Sequence, residues 1–456
     1  MEIRDKNSVD MTTGAILPKM LMTALPLMAS GVLQLLFNAA DVVVVGRYAS
    51  EHSLAAVGTT CALVNLITNL FVGLSIGANT IASFYYGAKD TEKLSRTVHN
   101  SMMLSLIGGA VLTVVGVVFA KTFLVWMQTP PEALDLATRY IQVYFSGVVP
   151  IMVFNFGSSL LRAKGDTKRP LYYLTFAGVV NVALNLLFVI VFKMDVGGVA
   201  LATILSQALA AALIVRCMRL ENDAFRLRLS LMKVDRSIMF EILRSGIPAG
   251  VQGTVFALSN VVIQSSVNGF GPIVMAGSAA AQNVEGFVWV SMYAFSQVAM
   301  TFSGQNAGAR RYDRLNRITL VTLGCAFVTG LILGNFCSVF GPELVTIYDA
   351  RPEVVVSGVT RFRLVCRYYC LCGMMDGMVG VIRGLGVSIT PTIVSLLGAC
   401  GLRLVWIFTV FQLTEFHTEY FLFLSYPVSW LVTFLAHVVC YFYIRRKLFP
   451  TSSRVS

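Results

Sequence analysis

The first place in this sequence where chemistry could be done is a single carboxylate inside a long apolar run. Asp41 stands near the end of the stretch from Leu17 to Val45, flanked by Ala39, Ala40 and four valines, with Asn38 and Gln34 on roughly the same helical face. Carrying a carboxylate into hydrocarbon costs about 2.5 to 3.5 kcal/mol on insertion scales, so such an acid requires a partner or a water-filled cavity and is by default a functional residue. A low dielectric penalises the charged form of any carboxylate, which suits a group that takes up and releases a proton. Pro26, earlier in the same run, removes one backbone hydrogen bond and crowds the preceding turn, so a bend is expected near Ala24 to Met28. An acid that can titrate and a helix that can bend belong together in a transporter. The alternative is a solvated or ion-paired Asp41 at the water interface, beside Gly46 and Arg47.

Two more acids sit in apolar stretches of the second half: Glu285 in AAQNVEGFVWV and Asp376 in CGMMDGMVGV. With Gln264, Asn268 and Gln282 they form a candidate cation or substrate site. A structural pair between Asp376 and Arg367, about two turns earlier, is the competing expectation. Phe287, Trp289, Met292, Tyr293 and Phe295 suit adaptable apolar and cation-π binding, although most such residues in membrane helices face lipid or core.

The elements that must position these groups are membrane helices. Of 456 residues, 56% are hydrophobic and only 13% charged, about half the charge of an ordinary soluble domain. Apolar runs long enough to cross hydrocarbon recur along the chain and do not alternate as barrel strands would. Twelve helical spans are expected, at 16–45, 54–80, 98–120, 139–161, 170–192, 197–217, 241–267, 274–302, 318–340, 361–382, 391–412 and 419–444. The net charge of +12 comes from basic residues in short loops, so it reports topology rather than nucleic-acid binding. Most of the 35 Lys and Arg lie in the tails and even-numbered loops, which puts both termini in the cytoplasm. Scattered cysteines, none at a credible ligand spacing, argue for free thiols. Arg403 is the one basic residue read as intramembrane and clear of a span end.

The halves repeat. GAKDTEKLSR from Gly87 matches GARRYDRLNR from Gly308, Pro131-Glu132 matches Pro352-Glu353, and Thr138-Arg139-Tyr140 matches Thr360-Arg361-Phe362. Arg162 pairs with Arg383, Pro170 with Pro391 and Pro26 with Pro248, always at an offset of 221 or 222 residues. Two six-helix lobes follow, with hinges expected at Pro26 and Pro248. Because six is even, the lobes enter the membrane in the same orientation, as parallel repeats. The expected division is an N-lobe at 1–218, a cytoplasmic linker at 219–240, a C-lobe at 241–444 and a basic cytoplasmic tail at 445–456.

The segments DVVVVGRYASEHSLAAVG (Asp41 to Gly58), LRAKGDTKRP (Leu161 to Pro170), NVALNLLFV with VGGVALATILSQ (Asn181 to Gln207), VIQSSVNGFG (Val262 to Gly271) and TFSGQNAGARR (Thr301 to Arg311) resemble the multidrug and toxic compound extrusion (MATE) transporters of the multidrug/oligosaccharidyl-lipid/polysaccharide flippase superfamily. The resemblance implies an all-α fold of two six-helix lobes around a V-shaped cavity. It also implies alternating access and export of organic cations against H+ or Na+. In many such transporters the cation site uses an acid in the first helix, an Asn-x3-Asp pair in the fifth and a Thr in the sixth. Asp41 matches the acid, Asn181 the Asn and Thr203 the Thr, while Asn185 replaces the second acid. One titratable charge is thereby lost, leaving Asp41 the only ionisable member, coupled to protons or weakly to sodium. Asn181 and Asn185, one turn apart, could coordinate a hard cation, hold Asp41 in one protonation state, or simply join helices by hydrogen bonds.

No phosphate-binding GxxxxGK[ST] loop or intramembrane catalytic constellation is present, so the expectation is a transporter rather than an enzyme, without cofactor and without metal beyond Na+ at Asp41. The expected partners are small organic cations and the lipid bilayer of the inner (plasma) membrane, with the chain acting as a monomer. The rival reading is a flippase for a lipid-linked oligosaccharide, which would need a cationic cavity.

Overall fold

A computed structural model describes residues 8–48 and 51–448. Ala49 and Ser50 of the first family-like segment, and the tail beyond 448, lie outside the described residues. The first half of the chain forms helices α1 (Ile16–Tyr48), α2 (Glu51–Gly87), α3 (Thr91–Trp126), α4 (Pro131–Ser146), α5 (Val148–Ala163), α6 (Lys168–Leu186) and α7 (Asp195–Arg219). The second forms α8 (Arg236–Asn268), α9 (Pro272–Gly308), α10 (Leu315–Val339), α11 (Gly341–Thr346), α12 (Pro352–Leu364), α13 (Tyr369–Gly384), α14 (Ile389–Ser395), α15 (Leu402–Phe408) and α16 (Glu419–Leu448). No strand occurs among the described residues.

Among the described residues nine spans are long and apolar enough to cross a membrane, and the pair α4–α5, bent by 48°, makes a tenth. The two remaining expected spans fall on α2 and α9, each 37 residues long. The chain is thus an all-α polytopic membrane protein, with ten crossings by length and composition among the described residues and long helices at the two other expected spans. Several crossings are broken. A π-helical turn, Leu187–Val191, continues α6, and a second, Leu396–Gly401, joins α14 to α15.

The repeat is visible in the local chemistry of helix ends. Pro131 and Pro352 each open a helix at its first position, where a missing N–H costs nothing, with Glu132 and Glu353 in the first turn. Gly165 and Gly386 both take left-handed conformations (φ +90° and +83°) after α5 and α13, and each donates its N–H over 2.8 Å to the carbonyl of Arg162 or Arg383.

The helices divide into two compact units. Among the described residues, one holds Ala29–Thr254 and the other holds Met11–Met28 with the chain from Val255 onward. Helices α1 and α8 run unbroken through Pro26 and Pro248 and change units shortly after them. Within the first unit, α2 crosses the start of α8 with backbones almost touching: a Cβ on Gly73 would lie 2.1 Å from the Gly250 nitrogen, and one on Gly77 2.4 Å from the Ile242 oxygen. Small residues at i and i+4 on both helices allow this approach, as in other membrane helix pairs. In the second unit α13 lies equally close to α9, where a Cβ on Gly380 would stand 2.2 Å from the Ser296 oxygen.

Gly250→Ala should therefore force the α2–α8 crossing apart and lower stability by about 1–3 kcal/mol. Gly253→Ala, whose nearest neighbour would be an Asn69 side chain at 3.6 Å, should be neutral or slightly stabilising. Thermal unfolding of the two variants in detergent checks this, and equal melting temperatures would contradict it.

Candidate functional site

Asp41 is placed by the packing of α1 on α6. One turn before it, the Phe37 ring lies in a notch over Gly178, where any Cβ would come within 1.9 Å of the ring. That knob and hole set the register: Asp41 follows Phe37 by four residues, and Asn181 and Asn185 follow Gly178 by three and seven, all on the facing surfaces. Beyond the acid, Val44 and Val45 pack with Val189, Val196 and Val199 in a buried aliphatic cluster. Helix α7 is fixed in turn by Ile204, which fills the space over Gly147 at the α4–α5 bend, beside Thr203.

These contacts bring four predicted residues into one hydrogen-bond chain. Asn185 Nδ2 donates to Asp41 Oδ1 at 2.5 Å and to Asn181 Oδ1 at 3.2 Å. Asn181 Nδ2 donates to Thr203 Oγ1 at 3.4 Å, and that hydroxyl donates to the Val199 carbonyl at 3.0 Å. Asn185 is fully buried and Asn181 nearly so, while Asp41 is partly open. Asn185 Oδ1 is buried with no donor among the described residues, an unsatisfied acceptor of a kind that costs about 1–3 kcal/mol. Gln34 and Asn38 are exposed and outside the chain of bonds.

The donor set is one carboxylate, two amide oxygens and one hydroxyl, all hard oxygen ligands. It fits either a proton on Asp41 or a small monovalent cation shared among these oxygens. Among the described residues no cluster of three His, Cys, Asp or Glu side chains suits a transition-metal ion.

The residues proposed for the second half separate into three places. Gln282 donates to Gln264 at 2.9 Å and Gln264 to Asn268 at 3.0 Å, an amide ladder on the exposed surface of α8 and α9. Glu285 faces elsewhere: its two oxygens accept from Arg361 Nε and Nη2, each at 2.8 Å, both side chains being more than 90% buried. Arg361 also reaches Ser278 and lies over the Phe423 and Tyr426 rings. A bidentate pair of this kind leaves Glu285 little capacity for another cation. Asp376 is partly buried in the field of Arg383 and Arg403, and its backbone carbonyl accepts from Ser296 Oγ at 2.6 Å.

Two expectations are corrected here. Arg367 lies exposed in the turn between α12 and α13, so it is not the partner of Asp376. Arg403 is not alone, because Arg361 and Arg383 are buried as well, at 2% and 7% exposure. Both stand at the edges of apolar windows, where hydropathy alone assigns them to loops. The matched triplet around Arg139 and Arg361 marked the position but not the inward direction.

The family model described as MatE matches residues 26–187 and again 248–409. The probable multidrug resistance protein YpnP of Bacillus subtilis is 27% identical over 396 residues, 86% of this chain and 88% of that protein. The probable multidrug resistance protein NorM of Thermotoga maritima is 23% identical over 387 residues, covering 84% and 82%. A solved structure described as an outward-facing multidrug resistance MATE family transporter of the MOP superfamily superposes with a TM-score of 0.92 at 21% identity, over 99% of this chain and all of that one.

If the notch over Gly178 sets the register of the site, Gly178→Val should destabilise the protein by about 1–3 kcal/mol. Phe37→Ala, by emptying the notch, should recover part of the loss when combined with it. Melting curves of the two single variants and the double variant provide the measurement; purely additive losses would contradict the account.

Proposed function

Because the chain belongs to the MatE family of membrane transporters, we propose that it exports amphipathic organic cations by alternating access, in exchange for inward H+ or Na+, with Asp41 as the coupling acid. The observation that carries this reading is the 2.5 Å bond from Asn185 to Asp41 beside an amide oxygen that lacks a donor. An ionised Asp41 accepts the Asn185 N–H. When Asp41 takes a proton it gains an O–H to donate, and a half-turn of the Asn185 amide presents its free oxygen to that group. If the ion is sodium, Asp41, Asn181, Asn185 and Thr203 are the residues that would hold it.

Either event changes the bonds between α1, α6 and α7 and so favours one arrangement of α1. Pro26 supplies the place where that helix can bend. Linkage requires that substrate and coupling ion alter each other's affinity by the same factor, typically about 5- to 150-fold. The distribution of basic residues supports placing both termini on the cytoplasmic face of the plasma membrane. One chain carries both repeats, so the monomer is the proposed working unit.

Efflux of a cationic dye from proteoliposomes under an imposed proton or sodium gradient tests this. Wild type should respond to one gradient, and Asp41→Asn should lose about 90% or more of the driven flux. Equal driven flux in the variant would overturn Asp41 as the coupling residue. Dye that moves under neither gradient would favour the flippase for a lipid-linked oligosaccharide, a reading to which the buried arginines of the second unit lend some chemistry.

A further inference from the structure

The second unit carries a buried cation that the export reading does not use. Arg403 is 8% exposed, on α15 directly after the π-helical turn Leu396–Gly401. The face of its guanidinium is covered: the Tyr426 ring centre lies 4.3 Å from Cζ and that of Trp430 5.5 Å. Its Nε donates to Ser429 Oγ at 2.8 Å. The Nη groups have no acceptor among the described residues, and no carboxylate forms a salt bridge with the side chain there. Stacked rings compensate the face of a guanidinium but not the N–H donors at its edge.

Nearby charges do not neutralise it. Arg361, which also lies over the Tyr426 ring, is matched by Glu285. Asp376 is the other nearby acid, and it lies in the fields of both Arg383 and Arg403. That one carboxylate thus feels two guanidiniums. The edge of the cluster is reachable, since Trp289 keeps 42% of its surface exposed and Asp376 is only partly buried.

The repeat adds an independent argument. The two family matches are offset by 222 residues at both ends, and the nearer pairs Arg162 with Arg383 and Pro170 with Pro391 by 221, so the place of Asn181 falls at Leu402–Arg403. At the offset of 222 Arg403 is the counterpart of Asn181, Ser425 of Thr203, and Ile263 of Asp41. Where the first repeat places an acid and an amide, the second places an aliphatic residue and a guanidinium.

We propose that the Nη edge of Arg403 is the anchor of a second ligand site, one that binds the anionic head of an amphiphile: a carboxylate, sulfonate or phosphate ester. The fork geometry suits a bidentate oxyanion, and Trp289, Tyr426 and Trp430 supply aromatic surface for the apolar part. The site extends the range of ligands from cations to amphiphiles that carry a negative group, and it does not depend on the identity of the coupling ion.

The test is a binding titration of the purified full-length protein in a maltoside detergent, with cholate as the probe and tryptophan emission as the readout. Saturable binding should weaken by at least about tenfold in Arg403→Gln, and less in Arg403→Lys, which keeps the charge but loses the fork. Asp376→Asn should bind cholate more tightly than wild type, because it removes the competing carboxylate. That gain cannot come from misfolding, so it keeps the test decisive if Arg403→Gln fails to fold. Binding needs no gradient, so its failure would leave the coupling account standing. Absent saturation in wild type, unchanged affinity in Arg403→Gln, or weakened binding in Asp376→Asn would overturn the proposal. So would displacement of cholate by low-millimolar sulfate, which would assign the site to a free inorganic anion instead.

Discussion

An ionisable side chain inside a membrane helix has to be given a partner, and the arrangement of the first unit follows from how Asp41 is given one. Its partner is Asn185 on α6, which can reach it only because Phe37 of α1 seats over Gly178 and fixes the two helices in register. The valines beyond the acid pack against α6 and α7, leaving the polar chain through Asn181 and Thr203 as the local outlet for its hydrogen bonding. A neutral amide is well suited to this position. It can face a carboxylate with its N–H or a protonated acid with its oxygen, so one side chain serves two charge states. A second carboxylate at 185 would bring repulsion whenever both acids were ionised.

The second unit uses the same scaffold with different electrostatics. Its Glu285 is consumed by a bidentate arginine, and the place of Asn181 falls at Leu402–Arg403 in the repeat. Breaking the Glu285 to Arg361 pair would strand a buried charge, which is far more damaging than the pair is stabilising, so this pair is best understood as a fixed strut. A buried ion pair in one repeat and an acid–amide pair in the other give two related lobes distinct chemistry without a change of fold.

Much of this was legible in the sequence. The apolar runs gave twelve spans, each of which coincides with a helix or a broken helix pair. The duplicated Pro131-Glu132 and Pro352-Glu353 steps fall at helix starts for the reason that sequence favours them, and the Arg162 and Arg383 matches precede equivalent left-handed glycines. The grouping of Asp41, Asn181, Asn185 and Thr203 came from family resemblance and is found as one hydrogen-bond chain. The inward direction of Arg361 and Arg383 was not legible, because a long side chain at the end of an apolar window can turn toward water or core, and only packing decides. The two π-helical turns, each next to a functional candidate, leave no mark in apolar periodicity over a single turn.

The central claim is that substrate and coupling ion compete through the protonation of one carboxylate. Proton release from purified protein in weakly buffered detergent solution, followed with a pH indicator during addition of a cationic substrate dye, tests it most directly. With H+ as the coupling ion, the account predicts close to one proton released per transporter in the wild type and none in Asp41→Asn, with sodium replacing the dye as the trigger if Na+ is the coupling ion. Release that persists undiminished in Asp41→Asn, or wild-type binding of dye and sodium with no proton movement and no mutual effect on affinity, would contradict it.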